Sequence, residues 1–279
     1  MRNFFLGLAL LAGTAVHAQA VTEIGQLNDE FDQPLRASWQ WAHEKEGFPT
    51  KLDRFELKDG ILHFQPGQSG WFNDGKAPFL YQTVNGDFDV RMRVKATGLN
   101  GGLANTQWSL GGLMVRAPRW QVKDPLEPKS ESWLFVNTGV ADKLGQQVVE
   151  SKYTLHSKSN LKLRNAKTGW VELRMVRVGF VFISMYRFDG EQSWTLQDRY
   201  YIQDWPMQLQ VGINGYTGDK PDMLLQVDYI RFKKPTVSFG PTRFEKPSDR
   251  YDYWYKNVSE NNLADYSLSN EAVLKLLGN

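Results

Sequence analysis

The chain has no cysteine, so neither a disulfide framework nor a lipid-anchored amino terminus is open to it, and burial must hold it together. Long apolar runs are missing too. After the first twenty residues nothing approaches the ~20 consecutive apolar residues that a spanning helix needs. Charge of one sign is equally scarce: 33 Lys and Arg stand against 31 Asp and Glu, a formal charge of +2. Such a balance supports neither nucleic-acid binding nor adhesion to a membrane. Beyond the leader the histidines are His43, His63 and His156, and no two have the spacing of a metal-binding pair. "HEKEG" at His43 lacks the second histidine of a zinc-protease helix. No Gly-rich loop precedes a helix, no G-x-S-x-G marks a nucleophile elbow, and no E-x-D-x-E offers the paired carboxylates of glycoside hydrolysis.

What is present begins with "MRNFFLGLALLAGTAVHAQA": Arg2, an apolar run from Phe4 to Val16, and small residues at Ala18 and Ala20. This is the pattern of a cleavable signal peptide over residues 1–20, and it predicts a periplasmic or secreted protein. Large rings are plentiful, with 10 Trp, 11 Tyr and 16 Phe. They favour strands, and in an exported protein a surplus of Trp suits sugar stacking.

Strand signals follow one another from Glu30 to Lys233: "ILHFQP", "APFLYQTV", "FDVRMRVKA", "GGLMVRAP", "SWLFVNTGV", "QQVVESKYTLHS", "WVELRMVRVG", "FVFISMYRF", "SWTLQDRYYI", "QLQVGING" and "MLLQVDYIRF". Asp59-Gly60, Asn85-Gly86, Gly179 and Asp189-Gly190 mark tight reversals. The pattern predicts an all-β, two-sheet β-sandwich of jelly-roll type over residues 21–234. "RWQVKDPLEPKSES", residues 119–132, reads as a long surface loop. Residues 235–279 read as a proline-bearing C-terminal arm over the sandwich, ending in a short helix capped by Ser269, with Val273, Leu276 and Leu277 on one stripe and Gly278 at its end. "RYDYWYK" in the arm, with Tyr251, Tyr253, Trp254 and Tyr255, is a staple onto the sandwich or a docking surface for a protein partner.

Strict alternation in "FDVRMRVKA" puts Phe88, Val90, Met92, Val94 and Ala96 on one face and Asp89, Arg91, Arg93 and Lys95 on the other. The same parity buries Leu113, Val115, Leu134, Val136, Leu209, Val211 and Ile213. It leaves Arg116, Trp133, Phe135, Asn137, Glu150, Lys152, His156, Gln208, Gln210 and Asn214 facing outward. Rings beside Arg, Asn and Gln are the chemistry of a sugar site, so Arg91, Arg93, Arg116, Trp133, Asn137, Lys152, His156, Gln210 and Asn214 are the candidate ligand-binding set where these faces share one groove; the alternative is that the strands belong to both sheets, their outward faces never meet and the cations face water. Trp71, in the turn-rich "GQSGWFNDGKAP", joins them as a stacking platform, whereas Trp39 and Trp41 read as core. The cationic excess favours an acidic or highly hydroxylated glycan. Glu30 and Asp32 in "NDEFDQPL", with Asp228 from the last strand, are the candidate ligands of a structural calcium ion; no other cofactor is implied. Tyr153, His156, Arg91 and Asn137 are also the residue types of a polysaccharide lyase.

The order of these segments resembles the concanavalin A-like lectin and glucanase superfamily. "FDQPLRASWQWAHEKEG" followed by "DGILHFQP" is similar to the start of the C-terminal sandwich of bacterial β-xylosidases. "APFLYQTVNGDFDVRMRVKA", "GGLMVRAP", "WVELRMVRVGFVFISMYRFDGEQSWTLQ" and "LQVGINGY" more closely resemble a bacterial family of unknown function related to the yeast regulation-of-enolase protein. The resemblance implies two curved sheets with a glycan on the concave face. Without the acidic strand motif it does not carry hydrolysis over. The expectation is an exported glycan-binding or glycan-associated protein; the alternatives are a polysaccharide-cleaving lyase or hydrolase and a periplasmic protein-interaction module.

Overall fold

The computed structural model describes residues 23–119, 131–237, 263 and 265–278. The stretch read as a signal peptide, most of the 119–132 segment and the aromatic "RYDYWYK" segment lie outside the described residues.

Two antiparallel seven-stranded sheets form a β-sandwich. Sheet I runs β1 (Gln40–Trp41), β4 (Phe79–Asn85), β13 (Gln208–Tyr216), β6 (Ser109–Arg116), β7 (Trp133–Val140), β8 (Gln147–Leu155), β9 (Lys158–Asn165). Sheet II runs β12 (Thr195–Tyr201), β11 (Val181–Phe188), β10 (Val171–Val178), β5 (Phe88–Thr97), β14 (Leu224–Lys233), β3 (Ile61–Pro66), β2 (Leu52–Lys58). Each of the eleven strand signals became a strand. The edge strands β2 and β9 carried no signal because "LDRFELK" and "KSNLKLRN" keep much of their surface in water and so lack an apolar alternation.

The parity reading holds for the core. Val90, Met92, Val94, Leu113, Val115, Leu134, Val136, Leu209, Val211 and Ile213 all join one cluster between the sheets. The outer faces are not bare, however. Trp71, Phe79, Tyr81, Met114, Trp133, Phe135 and Tyr216 form a second cluster on the outside of sheet I. A third lies outside sheet II, where Val273 and Leu277 of the terminal helix α2 (Asn270–Leu277) pack against Val176, Val178, Ile183 and Met185. Ser269 caps α2 by accepting from the Ala272 amide at 3.2 Å. A single helical turn, α1 (Ala42–Glu46), follows β1 and ends at Gly47 in the left-handed region. At five residues it shows no period in the sequence.

Candidate binding face

Strand register assembles most of the candidate residues on the outside of sheet I. One row crosses β13, β6, β7 and β8 as Gln210, Arg116, Trp133 and Thr154. The next is Gly212, Met114, Phe135 and Lys152, and the third is Asn214, Gly112, Asn137 and Glu150. Arg116, Trp133, Asn137, Lys152, Gln210 and Asn214 therefore do share one face, but the face is covered rather than open. Residues 67–77 cross it. Trp71, only 1% exposed, meets Trp133 edge-on at 5.7 Å and Phe79 at 6.3 Å, so it is a lid over the face and not an exposed platform. The segment is fastened by the Ser69 amide on the Thr217 carbonyl at 3.0 Å and by Asn73, whose amide donates to Ser159 Oγ at 2.7 Å. The Ser157 hydroxyl adds a bond to Asp74. Ser157 and His156 both hold positive φ in the β8–β9 turn, an unusual pairing of non-glycine residues.

At one end of the face Arg116 is fully buried and saturated. It donates to both Glu131 oxygens at 3.0–3.1 Å, to Gln210 Oε1 at 3.0 Å, to Glu46 Oε2 at 3.0 Å and also to Glu46 Oε1. Burial works against its charge, yet the Glu131 and Glu46 carboxylates hold the guanidinium above its ordinary range. Burial likewise raises the Glu46 carboxyl, but hydrogen bonds and charge from Arg116, with Lys76 at 3.0 Å, outweigh it and leave the group below its usual value. Beyond this network Asn137 and Asn214 exchange amide bonds at 2.8 and 2.9 Å, and Asn214 also donates to the Gly112 carbonyl at 3.1 Å.

The other end is built differently. Glu150 is fully buried; it accepts from the Tyr216 hydroxyl through one oxygen, while the second has no hydrogen-bond partner. Lys152 Nζ stands 3.8 Å from that second oxygen. Burial pushes the Glu150 carboxyl up, the Tyr216 phenol well up and the Lys152 ammonium down. Around Lys152 Nζ stand Phe72 at 5.5 Å, Tyr216 at 5.7 Å, Trp108 at 5.9 Å and Phe135 at 6.0 Å, measured to the ring centroids. Lys152 is 4% exposed, whereas Phe72 is 58% exposed and Trp108 half-buried, so the rings open to solvent just above a buried acid, phenol and amine. Trp108 holds φ at +57°, a costly conformation for a bulky residue that aims its ring at this spot. Tyr216 lies two residues beyond Asn214 on β13 and was within reach of the parity argument. Phe72 and Trp108 sit outside regular strand alternation and gave no signal.

The remaining candidates lie elsewhere. Arg91 and Arg93 are on the outside of sheet II, so they do not share a groove with the sheet I set. Arg93 pairs with Asp189 at 2.5 Å and Asp228 at 2.7 Å, and its guanidinium lies over Trp170 at 4.4 Å. Arg91 lies 3.9 Å from Asp89 and over Trp194 at 5.3 Å. Beside it Arg174 binds Asp89 at 2.7 Å and donates to the Gly278 carbonyl at 2.6 Å and the Leu277 carbonyl at 3.0 Å. The charged face of β5 thus looks at ion pairs and at the C-terminal end of α2, where cations suit the helix dipole. His156 sits in the exposed β8–β9 turn, 3.1 Å from Asp204. The proposed calcium ligands do not converge: Glu30 is held by Arg231 at 2.7 Å and Asp228 by Arg93, and among the described residues no group of three or more acids, histidines or cysteines could hold a metal.

No family model matches the chain, and no curated protein matches it in sequence. Solved structures do. A functionally unknown protein from Saccharomyces cerevisiae aligns with a TM-score of 0.54 at 15% identity, over 71% of this chain and 97% of that one. The GH43 protein BlXynB from Bacillus licheniformis gives 0.56 at 11% identity, and a xylan β-1,4-xylosidase from Bacillus halodurans gives 0.54 at 12%. Both alignments cover 74% of this chain but only 39% of the other. At such identities the likeness defines the fold alone, a two-sheet β-sandwich.

Proposed function

We propose that this chain is an exported glycan-binding protein that takes its ligand on the outside of sheet I, where Phe72 and Trp108 open over Lys152, Glu150 and Tyr216. The observation that carries this reading is that opening. It combines exposed ring faces with a buried acid, phenol and amine beneath them, and rings plus a few aimed polar groups are what a sugar needs. The candidate arginines no longer argue for an acidic glycan, because Arg93 and Arg116 are engaged by carboxylates and Arg91 lies outside sheet II, away from this opening; a neutral, hydroxyl-rich polymer fits better. Membership of the bacterial family of unknown function that the strand segments resemble belongs to the same proposal.

Cleavage is the second reading. Glu150, raised by burial, has the character of a general acid, but the other carboxylates at this face, half-buried Glu46 and buried Glu131, are both tied to Arg116. Electrophoresis of the purified protein through gels containing neutral glucan, xylan or polyuronate, at low and high salt, tests both readings. Retardation by a neutral polymer, unaffected by salt and leaving polymer length unchanged, is the expected result. Shortened polymer would replace binding by catalysis, and free migration in every gel would overturn the glycan assignment.

A further inference from the structure

A second cleft lies away from this face, at the side of the sandwich where the edge strands β9 and β12 approach each other. It encloses about 600 Å³, a size typical of small-ligand sites. Its walls carry four tyrosines, Tyr153, Tyr200, Tyr201 and Tyr266, with Asp198 and Lys162 among the polar groups between them. Tyr153 and Tyr200 meet edge-on at 5.5 Å, and Tyr266 lies stacked on Tyr201 at 3.8 Å while remaining 71% exposed. The outer face of Tyr266 is therefore held in a fixed plane at the mouth.

Polar atoms in the cleft are left over. The Tyr200 hydroxyl is buried beside Ser151, Ser184 and Asp198, and the Tyr201 hydroxyl and one Arg199 nitrogen have no hydrogen-bond partner. The Asp198 carboxylate has only long contacts to side chains, to Ser151 Oγ and Lys162 Nζ, both at 3.5 Å. Buried donors and acceptors are normally satisfied, and residues of the cleft wall carry polar groups that a ligand's hydroxyls could satisfy.

We propose that this cleft is a second, independent saccharide-binding site that takes a neutral pyranose residue: one ring face on Tyr266, hydroxyls bridging Asp198 and the Tyr200 phenol. Asp198 accepts from adjacent hydroxyls and stands 3.5 Å from Lys162, so recognition rests on the ligand's hydroxyls and not on a ligand charge. The site shares no residue with the Lys152 opening, and two sites on one chain would bind a polymer more tightly than either alone, provided that the polymer spans both.

Calorimetric titration of the protein with neutral hexasaccharides cut from xylan and from glucan tests this, using Tyr266→Ala, Asp198→Asn and Trp108→Ala. Tyr266→Ala removes an exposed ring and leaves the fold intact. The proposal expects it to weaken one class of sites at least tenfold, with Asp198→Asn doing the same and Trp108→Ala acting only on the other class. Wild-type titrations from Tyr266→Ala and Asp198→Asn, with binding lost in Trp108→Ala, would overturn the cleft and leave the sheet I reading standing. Loss in the cleft variants alone would support the cleft and overturn the sheet I location. No heat with any hexasaccharide would overturn both.

Discussion

Replacing Arg116 by Met should destabilise the protein strongly and in a pH-dependent way. The guanidinium neutralises Glu46 and Glu131, which are nearly or fully buried and would stay so after the change. Breaking a buried pair by removing one partner costs about 3–5 kcal/mol, because the other charge is left uncompensated. Lys76 still reaches Glu46 at 3.0 Å and Glu131 at 3.7 Å, and Arg119 still reaches Glu131 at 3.6 Å, so the lower end, about 3 kcal/mol at pH 7, is expected. In the wild type the Glu46 carboxyl is held below its ordinary value, so it contributes stability above that value, and the contribution is lost as pH falls through the folded value. In Arg116→Met burial is no longer outweighed and the folded value rises. Its contribution is then present below pH 4.5 and lost as pH rises through the folded value. The gap between variant and wild type should therefore widen from pH 4 to pH 7. Urea unfolding at pH 4, 5.5 and 7 measures it, and Glu46→Gln in the variant background should restore part of the loss. A gap below about 1 kcal/mol at pH 7, or one that narrows with rising pH, would refute the reasoning.

Gly212→Ala should abolish soluble expression or cost about 3 kcal/mol or more, because a Cβ there would stand 2.0 Å from the Leu80 carbonyl and 2.7 Å from Tyr81 Cα; urea midpoints decide. Leu277→Ala should cost about 2–5 kcal/mol if α2 unfolds with the sandwich, and limited proteolysis should show earlier cutting near the carboxyl terminus. Glu150→Gln should flatten the stability profile. The raised Glu150 carboxyl contributes below its unfolded value of about 4.5 and loses that contribution as pH rises, so the variant should gain on the wild type between pH 5 and 8, by about 1 kcal/mol or more in urea unfolding.

How much of this was legible varies with the physics involved. Strands such as β5 and β13, packed on the core by one face, impose a period of two, and parity correctly turns Arg116, Trp133, Asn137, Lys152, Gln210 and Asn214 away from the core between the sheets. What parity cannot give is the sheet to which a strand belongs. Arg91 and Arg93 alternate as cleanly as Lys152 and lie on the other side of the molecule, and only the long-range pairing of β5 with β10 and β14 settles that. Nor can it show that an outward residue is covered. Trp71 closes the face from a segment without periodicity, and Glu46 reaches Arg116 from a single helical turn seventy residues away. The opening itself depends on Trp108 and Phe72, which regular alternation does not mark.

Hydrogen exchange, with and without the neutral glycan that retards the protein most, tests the location of the site most directly. The account predicts slowed exchange in residues 67–77 and 107–110, beside Phe72 and Trp108, with β5 unchanged. Unaltered exchange in both segments on saturation, or the absence of any retarding glycan, would contradict it.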